Sequence, residues 1–346
     1  MAVDNDGIAV VTLQRPPVNS LNLDLLQAMN NTFDDVAKNK SKGMILTSAS
    51  PTVFSAGLDI MEMYKPDPKR LETFWVTLQD MWLKLFGASF PTAAAINGHA
   101  PAGGCLIATS CEYRVMLSGK FTIGLNETAL GIVPPTWIQD SLRHTIPTRQ
   151  AEIALTTGKM FTVDEALKWR TNRGAEGAAR LGPPVLEGPQ MPPRSPDQIL
   201  NKTLKMCLSP KMALDTGIIK LNALNEYLVT ERTTIVDNAI TFGIKKCNDM
   251  DINIQKRGRR KVGLIDETAA DKAEAIEKCK KFIKRFDKIP SLARGMTKQI
   301  FRQEVLQKLL TNRQADTKQF LDLVNQPKIQ QSLELYLAML KQKSQK

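Results

Sequence analysis

Apolar residues recur along this chain in two patterns, short β-rich runs and longer stretches at three- and four-residue spacing. Ile8 to Leu13 is a β-rich run that stops at Arg15-Pro16-Pro17. Ser20-Leu21-Asn22 offers a helix cap, after which Leu26, Met29, Phe33 and Val36 line one helical face. Gly43 to Leu46 predicts a second buried strand. Leu71 to Phe86 predicts a helix with Phe74, Leu78, Met81, Trp82 and Leu85 on its apolar side, and Thr92 to Ile96 an Ala-rich buried strand. Cys111 to Met116 reads as a strand with a polar start, and Arg149 to Thr157 and Val163 to Lys168 as short helices. A chain that opens strand, helix, strand is a layered α/β fold.

Three interruptions in this pattern carry chemistry. After the Thr92–Ile96 run, Asn97-Gly98 is a turn signal, and Pro101-Ala102-Gly103-Gly104 leads into the apolar run from Cys105 to Ala108. The first N–H groups of a helix have no partner within it and favour negative charge, so a glycine-rich helix start can serve as half of an oxyanion site. Ser55-Ala56-Gly57 is a second small-residue turn, after which the Leu58 N–H is free to point into a pocket, with a cap near Asp59. In the third, Glu127 lies among apolar residues with no basic neighbour close in sequence. Such surroundings raise a carboxyl pKa and suit proton transfer, although taken locally a solvent-facing helix cap is the blander reading.

Composition narrows the function classes. The 346 residues, 42% hydrophobic, allow one large domain or two ordinary ones. No run approaches the ~18 apolar residues of a membrane span. Met1 to Asp6 has neither an Arg-rich amphipathic leader nor a signal-peptide core, so a targeting leader would lie outside this chain. Five cysteines without a C-x-x-C pair read as reduced thiols. Two histidines, His99 and His144, make a zinc site or a Ser-His-Asp triad a poor fit, and His99 reads as a loop side chain. The net charge of +12 raises the question of nucleic acid, but the charge is unevenly spread.

Taken in order, the segments Phe54-Ser55-Ala56-Gly57-Leu58-Asp59, Asn97-Gly98 with Pro101-Ala102-Gly103-Gly104-Cys105, and Gly124-Leu125-Asn126-Glu127-Thr128 with Leu130-Gly131-Ile132 resemble the crotonase (enoyl-CoA hydratase/isomerase) superfamily. Within it they look most like the mitochondrial delta isomerases. Pro17-Val18-Asn19-Ser20-Leu21 and Gln330 to Leu337 fit the same pattern, and the resemblance covers Gly7 to Lys168 and Val262 to Lys346. It implies an α/β, ClpP/crotonase-like spiral of ββα turns, followed by C-terminal helices that make a homotrimer. It implies an oxyanion hole formed by the N–H groups of Leu58 and Gly103, a catalytic Glu127, and substrate contacts at Ala56, Gly57, Leu58, Asp59, Ile60, Gly103 and Asn126. The implied substrate is a fatty enoyl-CoA of β-oxidation whose double bond moves from C3 to C2. The CoA arrives with the substrate, no separate cofactor or metal is needed, and the implied location is the mitochondrial matrix. Hydratases of this superfamily use a second glutamate just after the glycine-rich turn. Here that position is Leu106, which cannot carry a proton, and so isomerisation is the expected reaction. The competing reading is a catalytically inactive scaffold of the same fold.

One segment does not fit. Ala166-Leu167-Lys168 should run directly into Val262-Gly263-Leu264-Ile265-Asp266, read as a strand, but residues 169–261 intervene. The chain therefore divides into a core at 1–168, an insertion at 169–261 and a closing region at 262–346. Gly174 to Pro196 is rich in Gly and Pro without apolar periodicity and reads as a disordered linker. Ile199 to Ile235 could form short amphipathic helices, and Lys256-Arg257-Gly258-Arg259-Arg260-Lys261 closes the segment. The insertion holds 16 Lys and Arg against nine Asp and Glu, over half of the excess charge, so the basic balance does not point the whole protein at nucleic acid. Because the flanks join seamlessly without it, retained non-coding sequence is favoured over a lineage-specific insertion. After it, Ala269 to Phe286, Ser291 to Leu310, Asp316 to Val324 and Lys328 to Lys343 predict helices.

Overall fold

The computed structural model describes residues 1–168 and 263–344. A six-stranded sheet forms the frame. In chain order its strands are β1 (Ala2–Val3), β2 (Ile8–Leu13), β3 (Gly43–Ser48), β4 (Thr92–Ile96), β6 (Tyr113–Leu117) and β9 (Glu267–Ala269), and they lie side by side in that order. Only β1 is antiparallel to its neighbour; Val10 faces Ile45, Ile45 faces Ala93, Ala93 faces Tyr113 and Val115 faces Glu267 in parallel register. Parallel pairing needs crossovers, and these are α1 (Leu23–Lys38), α2 (Pro68–Phe86) and α3 (Gly103–Ser110). A smaller sheet joins β5 (Ala100–Pro101), β7 (Thr122–Gly124) and β8 (Phe161–Thr162). α4 (Thr136–Arg143) and α5 (Thr148–Thr157) follow, α6 (Val163–Lys168) packs on β7 and β8, and α7 (Lys272–Lys284), α8 (Ser291–Val324) and α9 (Pro327–Ser344) close the described chain.

The strands are apolar throughout because both faces of the main sheet are covered. Ala9, Val11, Met44, Leu46, Ala94 and Ile96 face the helices α1 to α3, whereas Ile8, Ile45, Ala93, Ala95 and Val115 face Ala275, Cys279 and Ile283 of α7. Each buried Val, Leu, Ile or Met among them contributes roughly 1.5–3 kcal/mol of burial, and each Ala about 0.8 kcal/mol. Gly43 is required at the second contact: a Cβ there would lie 2.6 Å from Ile283 Cγ2.

The predicted Leu26, Met29, Phe33 and Val36 stripe is the buried face of α1, which Asn22 caps by accepting the Leu25 N–H. Three boundaries differ from the sequence reading. The strand expected at 262–266 lies at Glu267–Ala269, because Asp266 is engaged beforehand in an ion pair with Arg114 at 2.8 Å. The helix expected from Ala269 starts at Lys272, where Asp271 caps it by accepting the Glu274 N–H at 2.8 Å. The two helices expected at 291–310 and 316–324 are one 34-residue helix, since residues 311–315 contain neither Gly nor Pro. α8 docks through charge: Lys298 and Arg294 both pair with the largely buried Glu112, and a partly exposed Arg313 pairs with Asp80.

The expected insertion, with its linker, amphipathic stretches and basic run, lies outside the described residues. Its two flanks meet: the Ile265 N–H donates to Ala166 O at 3.3 Å, and a Cβ on Gly263 would lie 2.5 Å from that oxygen.

Candidate functional site

Two turns are packed against each other at their glycines, Gly57 and Gly103. In the first, Ser55 Oγ donates to Asn19 O at 2.8 Å and accepts the Gly57 N–H at 3.2 Å, while Gly57 takes φ +90°. Asp59 then caps a short 3-10 turn, Ile60–Glu62, and its carboxylate pairs with Arg15 at 2.8 Å. In the second, the Ala102 N–H donates to Gly124 O at 2.8 Å, and α3 begins at Gly103. Ala102 itself takes φ +47° and ψ −117°, a conformation that costs an L-residue about 1–3 kcal/mol and is held here by the turn around it. A Cβ on Gly57 would sit 3.0 Å from Gly103 N, and one on Gly103 would sit 3.3 Å from Leu58 N. Two backbone N–H groups are thus brought into one small space. Neither has an acceptor among the described residues. Such a pair can stabilise an oxygen that gains negative charge.

The third segment supplies the carboxylate. β7 ends at Gly124, and Glu127 opens a 3-10 turn, Glu127–Leu130, stopped by Gly131 at φ +78°. Thr128 Oγ1 donates to Leu155 O at 2.7 Å and fixes this turn on α5. Asn126 and Glu127 are half-buried as residues, yet Asn126 Oδ1 and Glu127 Oε2 are both out of solvent contact and without a hydrogen-bond partner. Burial pushes the Glu127 carboxyl up to about 7, with no cation opposing it. The local reading of Glu127 as a solvent-facing cap is therefore corrected, because the wall of an apolar cavity covers its outer oxygen.

That cavity has a volume of about 380 Å³. Of the residues singled out in the sequence, Ala56, Leu58, Ile60, Asn126 and Glu127 line it. Gly57, Asp59 and Gly103 do not: the two glycines face each other, and Asp59 holds its own turn and Arg15. His99 is also outside it, with Nδ1 accepting the Thr122 N–H at 3.2 Å. Leu106 is buried in the core. The far wall escaped sequence reasoning, whereas part of the cover falls in the Gln330–Leu337 stretch singled out by the resemblance. Wall and cover come from Met63, Trp75, Ile138 and Phe320, and from Leu333 and Tyr336 of α9. Trp75 and Phe320 fall within separate predicted helices, and no sequence signal brings them together. Among the described residues no group of three or more His, Cys, Asp or Glu side chains is placed to hold a metal ion, and no helix is long and apolar enough to cross a membrane.

Comparisons with known proteins agree with this geometry. Residues 4–170 match the family profile described as enoyl-CoA hydratase/isomerase. Over 164 residues the chain is 48% identical to mouse "Enoyl-CoA delta isomerase 1, mitochondrial" and 44% identical to its human counterpart. These alignments cover 47% of this chain and 57% and 54% of the relatives, so the chain spans little more than half the length of the curated relatives it matches. The crystal structure of human mitochondrial delta3-delta2-enoyl-CoA isomerase superposes with a TM-score of 0.68 at 29% identity, covering 98% of this chain and 95% of that one. An enoyl-CoA hydratase from Bacillus halodurans, at 19% identity and a TM-score of 0.62, shares the fold, covering 96% of this chain and 98% of its own. Residues 4–170 are thus similar to the enoyl-CoA hydratase/isomerase family, and the described core has the crotonase fold.

Proposed function

We propose that this protein is an isomerase that converts 3-enoyl-CoA to 2-trans-enoyl-CoA. One observation carries the reading: a buried, unpartnered carboxylate oxygen of Glu127 shares an apolar cavity with the turn that presents Leu58. A proton next to a thioester is weakly acidic, and its removal creates an enolate oxygen that needs donors already in place. The N–H groups of Leu58 and Gly103 receive that oxygen, each worth roughly 3–4 kcal/mol in the transition state. Glu127 takes the C2 proton, the C2–C3 double bond forms as the C3–C4 bond electrons move to C4, and the same carboxyl returns the proton at C4. Asn126 positions the carboxylate or the substrate. The net change is redox-neutral and consumes no water, so the reaction calls for no separate cofactor, and CoA belongs to the substrate.

The names of these relatives favour a mitochondrial setting, and an enoyl-CoA substrate fits fatty-acid β-oxidation. An apolar association surface of the kind a homotrimer needs is present on α8, whose Leu292, Ile300 and Phe301 are each more than two-thirds exposed. Light scattering of the purified chain reads this directly. The activity test is conjugated enoyl-CoA formation from 3-hexenoyl-CoA. Turnover by the wild type and its loss in Glu127→Gln, by at least about 100-fold, are expected. A fully active Glu127→Gln protein sinks the assignment, and a folded, inactive wild type favours a binding scaffold.

A further inference from the structure

The cavity that holds Glu127 ends on a pair of rings. Trp75 of α2 and Phe320 of α8 stack with centroids 3.5 Å apart and planes 8° from parallel. Both rings also line a second cavity of about 550 Å³ on their other side. Val133, Pro134 and Pro135 line both spaces; the Glu127 side adds Leu58, Ile60, Met63 and Ile138, and the far side adds Leu323 together with Asp316, Gln319 and Asp322.

The stack is held in two directions by one helix. Asp316 lies one turn before Phe320 on α8, and its Oδ2 accepts the Trp75 indole N–H at 2.9 Å and a Gln79 side-chain N–H at 2.7 Å. The same helix thus supplies the ring that covers the indole face and the acceptor that fixes its edge. Trp137 packs edge-on against Trp75 at 5.8 Å. Both wall residues are almost fully buried, Trp75 2% and Phe320 7% exposed. A side chain fixed by stacking, a hydrogen bond and an edge contact is a wall and does not swing aside as a free rotamer would.

We infer that the Trp75–Phe320 stack is the end wall of the acyl pocket and sets the longest acyl chain that the site buries in full. The inference rests on the acyl-CoA reading of that cavity. A chain entering past Glu127 gains apolar burial with each methylene until its methyl end meets the rings. Beyond them lies the second space, in whose lining Asp316 and Asp322 stand. Removing the Phe320 ring joins the two cavities.

The test is calorimetric binding of saturated acyl-CoAs, hexanoyl to hexadecanoyl, to the full chain. Each buried methylene corresponds to about a fourfold gain in affinity. The wild type is expected to gain affinity with length and then reach a plateau. Phe320→Ala is expected to move the plateau to longer chains, with the hexadecanoyl-to-hexanoyl affinity ratio rising at least tenfold. Phe320→Leu keeps an apolar side chain of similar reach and shifts the ratio in the same direction by less. It decides the matter if thermal unfolding shows the alanine variant to be unfolded. An unchanged ratio in the folded variants overturns the wall. Acyl-CoA binding with no turnover of 3-hexenoyl-CoA overturns the isomerase reading alone, and no acyl-CoA binding at all overturns both.

Discussion

If Glu127 is buried without a cation, it destabilises the folded protein at neutral pH, and replacing it with a neutral isostere relieves that cost. An ordinary glutamate ionises near 4.5, and this one is raised to about 7. Between those values the unfolded chain has lost the proton and the folded chain still holds it, so stability falls as pH rises through that window and then levels off. The difference corresponds to about 3 kcal/mol at and above pH 7. Glu127→Gln has no ionisation to resist. Its stability relative to the wild type should therefore climb by about 2–3 kcal/mol between pH 5 and pH 8, most of it below pH 7. Burying an amide contributes a constant offset, and every other titrating group is common to both proteins, so the slope of the difference is the diagnostic. Urea unfolding at fixed protein concentration, without ligand, measures it. A pH-independent difference, or one that shrinks with rising pH, would refute the desolvated carboxylate.

Three other outcomes follow from the same site. The base must be ionised to take a proton, so kcat/KM for 3-hexenoyl-CoA should rise with pH through about 7 and then flatten; a profile flat from pH 5 to 8 would exclude Glu127 as the titrating base. In Gly103→Ala the new Cβ would meet Leu21 Cδ1 at 2.8 Å and Gly57 Cα at 3.2 Å, forcing the two turns apart. A drop of about 100- to 1,000-fold in kcat is expected from steady-state kinetics. Deleting residues 169–261 should leave a folded protein with wild-type turnover, because Ala166 and Ile265 are already hydrogen-bonded across the join. Circular dichroism, thermal melts and turnover test this, and sequencing the transcript across codons 168 and 262 shows whether the segment is retained non-coding sequence.

The parts legible in the sequence are those whose cause is local. The α1 stripe was readable because 3.6-residue periodicity alone puts Leu26, Met29, Phe33 and Val36 on one face. The turns at Gly57 and Gly103 were readable because small residues before an apolar run have few other uses, and both are places where a Cβ would collide. What escaped depends on contacts between distant segments. Glu127 looks locally like an exposed cap, and only the packing of the cavity around Oε2 makes it a buried one. Trp75 and Phe320 fall within separate predicted helices until α8 lays one ring over the other. The start of the helix after β9 was misread because apolar spacing runs on through Ala269, whereas that residue pairs with Leu117 at the sheet edge and Asp271 sets the cap.

The same burial that lowers stability suits the proposed reaction. A shuttle must remove a proton from one carbon and give it back to another, so its base is needed in both forms within a single turnover. A carboxyl near its usual pKa would take the C2 proton poorly. One pushed far above neutrality would be protonated before the substrate arrived. A value of about 7 lies between these limits, and it is reached with apolar walls alone, since burial is the cause of the shift and no charged neighbour contributes to it. The walls that raise it are also those proposed to receive the acyl chain. Filling the cavity with a chain should therefore displace the remaining water and raise the carboxyl further, and a longer chain should do so more. The pH midpoint of kcat is accordingly expected above that of kcat/KM, with a gap that widens with acyl length up to the Trp75–Phe320 wall. Equal midpoints for short and long substrates would separate the tuning of the base from the filling of the pocket.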